Sequence, residues 1–280
     1  MTQLSMRQRM VLTLTAKYVV IVAGAMLVLF PIYEMTTTSL KFEVDAFKLP
    51  PQWIFRPTLQ NYAEVLFGAN FARYFINSVV VSIAATLGSA TFGALAGYGL
   101  ARWRFRGKTA VIVGALLLRM IPPVILVVPV FVLFNNVGMT DGRIGLILIY
   151  MALTLPFNIW VLRTFIMELP KELEESAIID GCNDFTVFTK IVLPLIAPGL
   201  SVAGIFTFRI AWNEFILSLV LTNRVTRTLP VAVSLFLTDT GTEWGKITAI
   251  ATIIAIPAFI FTFTAAKSLI MGLTAGAVKG

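Results

Sequence analysis

The residues of this chain with the chemistry to act on anything fall into two groups. The first lies inside long apolar stretches: Arg119, just ahead of Ile121, Pro122 and Pro123; Asn158, two residues after Pro156; and Arg209, Trp212, Asn213 and Glu214 close together. A charge in hydrocarbon is costly, so such residues either fasten helices by pairing across a bundle or line a polar path. Both readings stand at this level. As a path, Trp212 offers a flat apolar face on which a sugar ring could stack, and Asn213 offers a donor and an acceptor to hydroxyls. At helical spacing Arg209 shares a face with Trp212 and Asn213. Glu214, five residues on, points elsewhere, which argues against an Arg209–Glu214 pair within one helix.

The second group lies in the connection from Glu168 to Lys190, which holds 6 of the chain's 14 acidic residues. Pro170 suits a helix's first turn, Glu172, Glu174 and Glu175 put negative charge at its positive end, and Gly181 supplies a left-handed stop beside Asp180. The expected helix has about 11 residues. Asp184 is expected to cap a second turn with Phe185 and Phe188 on one face. Leu173, Ala177 and Ile178 among the acids form an apolar patch too small for a core and too apolar for a solvated connector, which suits a docking surface for a partner.

Counting removes other chemistries. Histidine is absent and Cys182 is the single cysteine, so disulfide frameworks, zinc sites and Ser-His or Cys-His catalysis are excluded. Gly107, Lys108 and Thr109 imitate the end of a phosphate-binding loop, but the Gly that motif needs five residues earlier is Arg102. Any ATP, with its magnesium, must then be bound by another subunit. The chain itself is expected to bind no cofactor or metal and to be no enzyme.

These groups must be positioned by a membrane. With 58% hydrophobic and 13% charged residues and a mean hydropathy of +0.88, the composition lies outside that of soluble domains. Six stretches are long enough to cross hydrocarbon: Tyr18 to Thr36, Tyr74 to Leu100, Thr109 to Phe134, Ile144 to Ile166, Ile191 to Leu221 and Ile247 to Met271. Segment 1–17 has the basic flank Arg7, Arg9 and Lys17 without a small-residue cleavage pattern, so it reads as leading into a retained first span. Segments 1–17, 101–108, 167–190 and 272–280 carry the denser basic charge. Arg102, Arg104, Arg106 and Lys108 fall within eight residues, which places both termini in the cytoplasm. The net charge of +8 is thereby largely an orientation signal and needs no nucleic acid. The spans from Tyr18 to Met271 form one domain, with residues 272–280 as a cytoplasmic tail.

Ala85, Ser89, Gly93 and Gly97 leave one helical face of the second span nearly smooth, so another helix can approach its backbone. Pro31, Pro122, Pro123, Pro129, Pro156, Pro194, Pro198 and Pro257 are expected to interrupt the other five spans, which suits a transporter more than a rigid anchor. The long connection Thr37 to Arg73, with Pro50, Pro51, Trp53 and Pro57, either receives an external partner or caps the membrane surface.

Glu175, Ser176, Ala177, Gly181, Ile191, Leu193 and Pro194 stand at the spacing of a signature loop. Through it the chain resembles permease subunits of binding-protein-dependent ABC importers. Ser176 is the one departure, where that family usually has Ala. Gly97 to Lys108, Trp212 to Leu217 and the tail Gly272 to Gly280 are similar to the carbohydrate-uptake branch, in particular to the subunit type represented by the second permease of the maltose importer. The resemblance implies an all-α membrane protein with the six-helix type I ABC importer permease fold, in a bacterial cytoplasmic (inner) membrane. It implies that residues 168–190 carry a coupling helix seated in an ATPase subunit, with Glu175, Ala177 and Gly181 in that contact. By resemblance Ala275 to Gly280 reach the ATPase dimer interface. The implied partners are a second permease, an ATP-binding subunit dimer, an extracytoplasmic solute-binding protein, a sugar substrate and membrane lipid. Two alternatives stay open: a non-sugar cargo on the same architecture, and an ion-coupled transporter with Arg119, Arg209 and Glu214 as the ion site.

Overall fold

The computed structural model describes residues 6–48, 50, 52–68, 70–238 and 241–277, and it is almost wholly helical. In hydrocarbon every backbone N–H and C=O needs an internal partner, and an apolar sequence of this length satisfies that with helices. Among the described residues the order is α1 (Met6–Ser39), α2 (Glu43–Ala46), α3 (Gln60–Phe67), α4 (Phe71–Arg102), α5 (Lys108–Arg119), α6 (Pro123–Asn136), α7 (Arg143–Glu168), α8 (Glu172–Ile179) and α9 (Asp184–Val187). A π-turn over Phe188–Val192 leads into α10 (Leu193–Leu195). Beyond it come α11 (Ala197–Asn213), α12 (Ile216–Leu221), α13 (Leu229–Val233), a hairpin of β1 (Leu237–Thr238) and β2 (Gly241–Thr242), and α14 (Trp244–Ala277).

Four helices are long and apolar enough to cross a membrane alone, and two bent pairs bring the number to six. The expected third span, Thr109 to Phe134, is α5 and α6 bent by 99° at Met120–Pro122. Ile121 precedes a proline, which disfavours helical backbone there, and Pro122 is extended while Pro123 opens the next helix. The expected fifth span, Ile191 to Leu221, is not one straight helix. The run from Asp184 to Leu195 meets α11 at 77°, and a second break at Glu214 separates α12. Half of the eight span prolines interrupt nothing: Pro31, Pro129, Pro156 and Pro257 lie inside continuous helices, the tolerance expected where packing or local adjustment takes up the missing bond.

The chain divides into two compact units. One comprises residues 1–69 and 236–253, the other 70–235 and 254–280. In the first, Asn61 donates to the carbonyls of Ser39 (2.9 Å) and Lys41 (2.8 Å), and the Glu43 carboxylate accepts from the first N–H groups of α14, Trp244 at 2.9 Å and Gly245 at 3.3 Å. A carboxylate there complements the positive helix end. Lys246 pairs with Glu64 at 2.9 Å and Glu243 at 3.3 Å.

In the second unit α4, α7 and α11 pack together. Ala85, Ser89 and Gly93 are buried along α4, and a Cβ added at Gly93 would lie 2.8 Å from Asn158 Cβ, one at Gly97 3.0 Å from the Arg163 nitrogen. The smooth face thus brings α7 within backbone distance. One core cluster joins one end of these helices through Tyr98, Leu162, Ile166, Phe188, Val192 and Ile196. Another joins Val81, Leu146, Tyr150, Leu217 and Leu221. The segment after α12 is stapled to the start of α4: Asn77 donates to the carbonyls of Val225 and Arg227, and Ser78 accepts from the N–H of Leu229.

Candidate functional site: a lateral cleft and the loop beneath it

A cleft of about 380 Å³ opens in the second unit between one face of α7 (Ile149, Ala152, Leu153, Pro156), the α11 residues Phe206 and Ile210, and the break between α5 and α6. Arg119, the last residue of α5, stands in its wall. The guanidinium carbon lies 4.4 Å from the Phe157 ring centre and 4.9 Å from that of Phe206, whose rings are themselves in contact. Cation–π attraction holds the group in place but satisfies none of its N–H donors. Along α11, Phe206, Arg209, Ile210 and Asn213 recur at i, i+3, i+4 and i+7, one helical face, with Arg209 and Asn213 exposed. The Asn213 amide donates to the Arg209 carbonyl one turn back at 2.9 Å. Among the described residues neither Arg119 nor Arg209 forms an ion pair. Of the sequence-predicted residues, Arg119 therefore stands in the cleft against Phe206, and Arg209 and Asn213 lie exposed on the α11 face that carries Phe206 and Ile210; guanidinium groups without a carboxylate partner require water or an acceptor-rich ligand.

The other three are elsewhere. Trp212 is 1% exposed, stacked on Phe208 at 5.5 Å with Phe75 edge-on at 6.1 Å, and its indole N–H donates to the Ile254 carbonyl at 3.0 Å. It has no open face for a sugar ring. The expectation failed because Trp212 and Asn213, adjacent on a helix, are turned about 100° apart, and the aromatic one went to the core. Asn158 is a clamp: its amide donates to Ser89 Oγ at 2.8 Å and Thr207 Oγ1 at 2.9 Å, and Ser89 Oγ also accepts from Thr154 at 2.9 Å. Three spans are thereby tied through buried groups. Glu214, as expected, makes no pair with Arg209. It caps α12, accepting from the N–H groups of Leu217 (2.9 Å) and Ser218 (3.0 Å), and takes the Tyr150 hydroxyl at 2.8 Å. A carboxylate so occupied is a poor ion site. The cue available in sequence was an acid immediately ahead of the apolar run Phe215 to Leu217, where its carboxylate can accept from N–H groups three and four residues on.

The connection from α7 to α11 consists of α8, α9, the π-turn and α10. α8 has eight residues and starts at Glu172, shorter than expected from Pro170. Glu172, Glu175, Ser176 and Asp180 are exposed, together with Leu173, Ile178, Ile179 and Phe185. This is an apolar patch with an acidic surround, as expected, except that Ala177 turns inward to the core. Gly181 ends the helix at φ 89°, a left-handed conformation that a glycine adopts without penalty. The cap of the next turn is Asn183, which accepts from the Thr186 N–H at 2.8 Å, and Asp184 is already helical. Phe185 and Phe188 part company where α9 passes into the π-turn: the first is 70% exposed and the second 7%. Ile191 and Leu193 pack partly against the inner core and Pro194 is exposed. The tail reaching Gly280 ends outside the described residues.

Sequence reasoning missed Glu174. It faces inward from α8, and its Oε1 accepts from Arg102 Nη2 at 2.6 Å and Nε at 2.7 Å, its Oε2 from the Tyr98 hydroxyl at 2.9 Å. In the sequence Arg102 reads only as orientation charge. No local pattern pairs residues 72 positions apart.

Two features define a class. A helical bundle with broken spans carries an open cleft, and a short helix exposing apolar and acidic side chains together is presented on the segment that leads into the cleft-lining helix: a multi-pass membrane permease subunit built to work with partners. Residues 89–270 match the family described as binding-protein-dependent transport system inner membrane component, and the chain belongs to that family. It is 38% identical to the probable ABC transporter permease protein y4oR of Sinorhizobium fredii, covering 91% of this chain and 92% of that one. It is 36% identical to the diacetylchitobiose uptake system permease protein DasC of Streptomyces coelicolor, covering 90% and 92%. The fold is that of a crystallised bacterial ABC transporter for import of the acidic polysaccharide alginate, with a TM-score of 0.77 at 20% identity over 95% of this chain and 99% of that one.

Proposed function

We propose that this chain is one half of the translocation path of an ABC-type saccharide importer in the bacterial cytoplasmic membrane, with both termini cytoplasmic. The observation that carries this is the cleft: the end of α5 places Arg119 in its wall without a protein carboxylate to pair with, and the α11 face that lines it through Phe206 and Ile210 also carries the exposed Arg209 and Asn213. Hydroxyl-rich cargo supplies acceptors in number. The saccharide systems among the relatives, for diacetylchitobiose and alginate, support the same cargo class. An extracytoplasmic binding protein would deliver the solute. ATP and magnesium would be bound by a separate ATPase dimer docked on Glu175, Ser176, Asp180 and Gly181 and on the exposed Leu173, Ile178, Ile179 and Phe185. Gly181 and the run through Ile191, Leu193 and Pro194 would pass its closure to α11 as rigid-body movement.

The test is co-expression with the neighbouring subunits and reconstitution in proteoliposomes. Uptake of a saccharide should require ATP, the ATPase and the binding protein. Transport by this chain alone, driven by an ion gradient, would overturn the reading.

A further inference from the structure

We propose that the Arg102–Glu174 pair is a strut that makes α4 share the movement of α8, so that the force entering at the docking loop reaches two spans and not α11 alone. This rests on the docking role proposed above. α8 is joined to its neighbours by backbone that turns at both ends: Leu169 is extended, and Gly181 is left-handed. Covalent connection therefore leaves the helix free to swivel, and something else must fix its angle. Its buried residues are Glu174 and Ala177, one turn apart, and Ala177 has only a methyl group to offer.

The carboxylate of Glu174 is held at both oxygens from a single face of α4. Tyr98 and Arg102 are four residues apart on that face, and Arg102 also donates through Nη2 to the Leu169 carbonyl at 3.2 Å, gripping the end of α7 as well. The Arg102 and Glu174 side chains are 11% and 10% exposed, so water and salt scarcely screen them. The signs fit the helix ends too, a cation in the last turn of α4 and an anion in the first turn of α8. An exposed ion pair would yield under load; a charge-assisted, two-atom contact with a third hydroxyl donor is stiff. From Arg102 the helix runs back along Gly97, Gly93 and Ser89 to the clamp around Asn158, so a displaced α4 shifts the packing beside the cleft. Arg102 and Glu174 are positioning residues, remote from cargo and nucleotide alike.

The experiment uses the reconstituted complex with Arg102→Gln, Glu174→Gln and Arg102→Lys, reading ATPase retention, ATP hydrolysis and uptake. The two Gln variants are expected to keep the ATPase bound and hydrolysing while uptake per ATP falls by about 10-fold. Arg102→Lys keeps the charge but loses the two-atom contact and should fall between them and the parent. An unchanged ratio of uptake to ATP in Arg102→Gln and Glu174→Gln overturns the strut, and so does a loss of stability that lowers both activities in proportion. Should the Gln variants fail to assemble, Arg102→Lys with the parent ratio overturns it equally. Absence of the ATPase from the unaltered complex would refute the docking role instead, so the two failures are distinguishable.

Discussion

Gly181 offers the sharpest test of how the docking loop is built. At φ 89° its backbone is left-handed, and a Cβ placed there meets nothing within 4 Å. The cost of a side chain is therefore conformational, not steric, within this chain. A residue with a Cβ gives up about 1–2 kcal/mol in this region, which lowers the population of the native turn against its alternatives by about 5- to 30-fold. Asn tolerates the left-handed region, Ala less so, and a β-branched residue least. The series Gly181→Asn, Gly181→Ala and Gly181→Val should accordingly lose ATPase co-purification and ATP-dependent uptake in that order, with membrane insertion intact. Measurement is by affinity purification of the complex and proteoliposome uptake. The reasoning fails if Gly181→Val couples as well as the parent. It fails too if Gly181→Asn is the worst of the three, since the turn would not then be what glycine supplies.

Gly93→Val drives a side chain into Asn158 Cβ and the adjoining backbone of α7, and should cost about 1–3 kcal/mol, read as a lower unfolding temperature in detergent. Gly88→Ala, whose Cβ meets only the flexible end of Met151, should stay close to the parent in the same assay. Trp212→Ala should destabilise by about 3–5 kcal/mol as a core deletion, whereas Asn213→Ala should reduce uptake at unchanged stability; equal stability losses would contradict the face assignment. The Glu64 carboxyl is held below its ordinary range, first by the hydrogen bond from Lys246 and then by that from Gln60. Its contribution is present above the ordinary carboxylate pKa and is lost as pH falls through the lowered value. Acid-induced proteolytic cleavage between α1 and α4 should thus depend less on pH in Glu64→Gln.

Much of the fold was legible because lipid enforces it: apolar runs of sufficient length must become helices, and six were readable from Tyr18 to Met271. The smooth stripe on α4 and the left-handed Gly181 were legible too, since both depend on the absence of a side chain. Prolines misled in one direction. Pro122 and Pro123 together break a span, but the single prolines at 31, 129, 156 and 257 do not, because one missing N–H can be absorbed by neighbouring groups, while the pair removes two in succession and leaves Pro122, itself the residue before a proline, extended. The candidate path was half legible. Residue type flagged six positions, yet the chain puts Arg119 in the cleft wall, leaves Arg209 and Asn213 exposed along α11 and spends Trp212, Asn158 and Glu214 on packing, clamping and capping.

The sequence by itself determined the solvent, the apolar runs that become helices and the signature loop with its exposed apolar residues among acids. Each follows from side-chain chemistry summed over a short window, and no distant contact is needed to read it. Only the tertiary structure decided which helical faces meet. The pairing of Arg102 with Glu174, the inward turn of Ala177 and the burial of Trp212 depend on rotations of helices about their axes, fixed by contacts between residues tens of positions apart. Periodicity tells which residues share a face; the close approach of α7 to a side-chain-free stripe on α4 tells which face is inside.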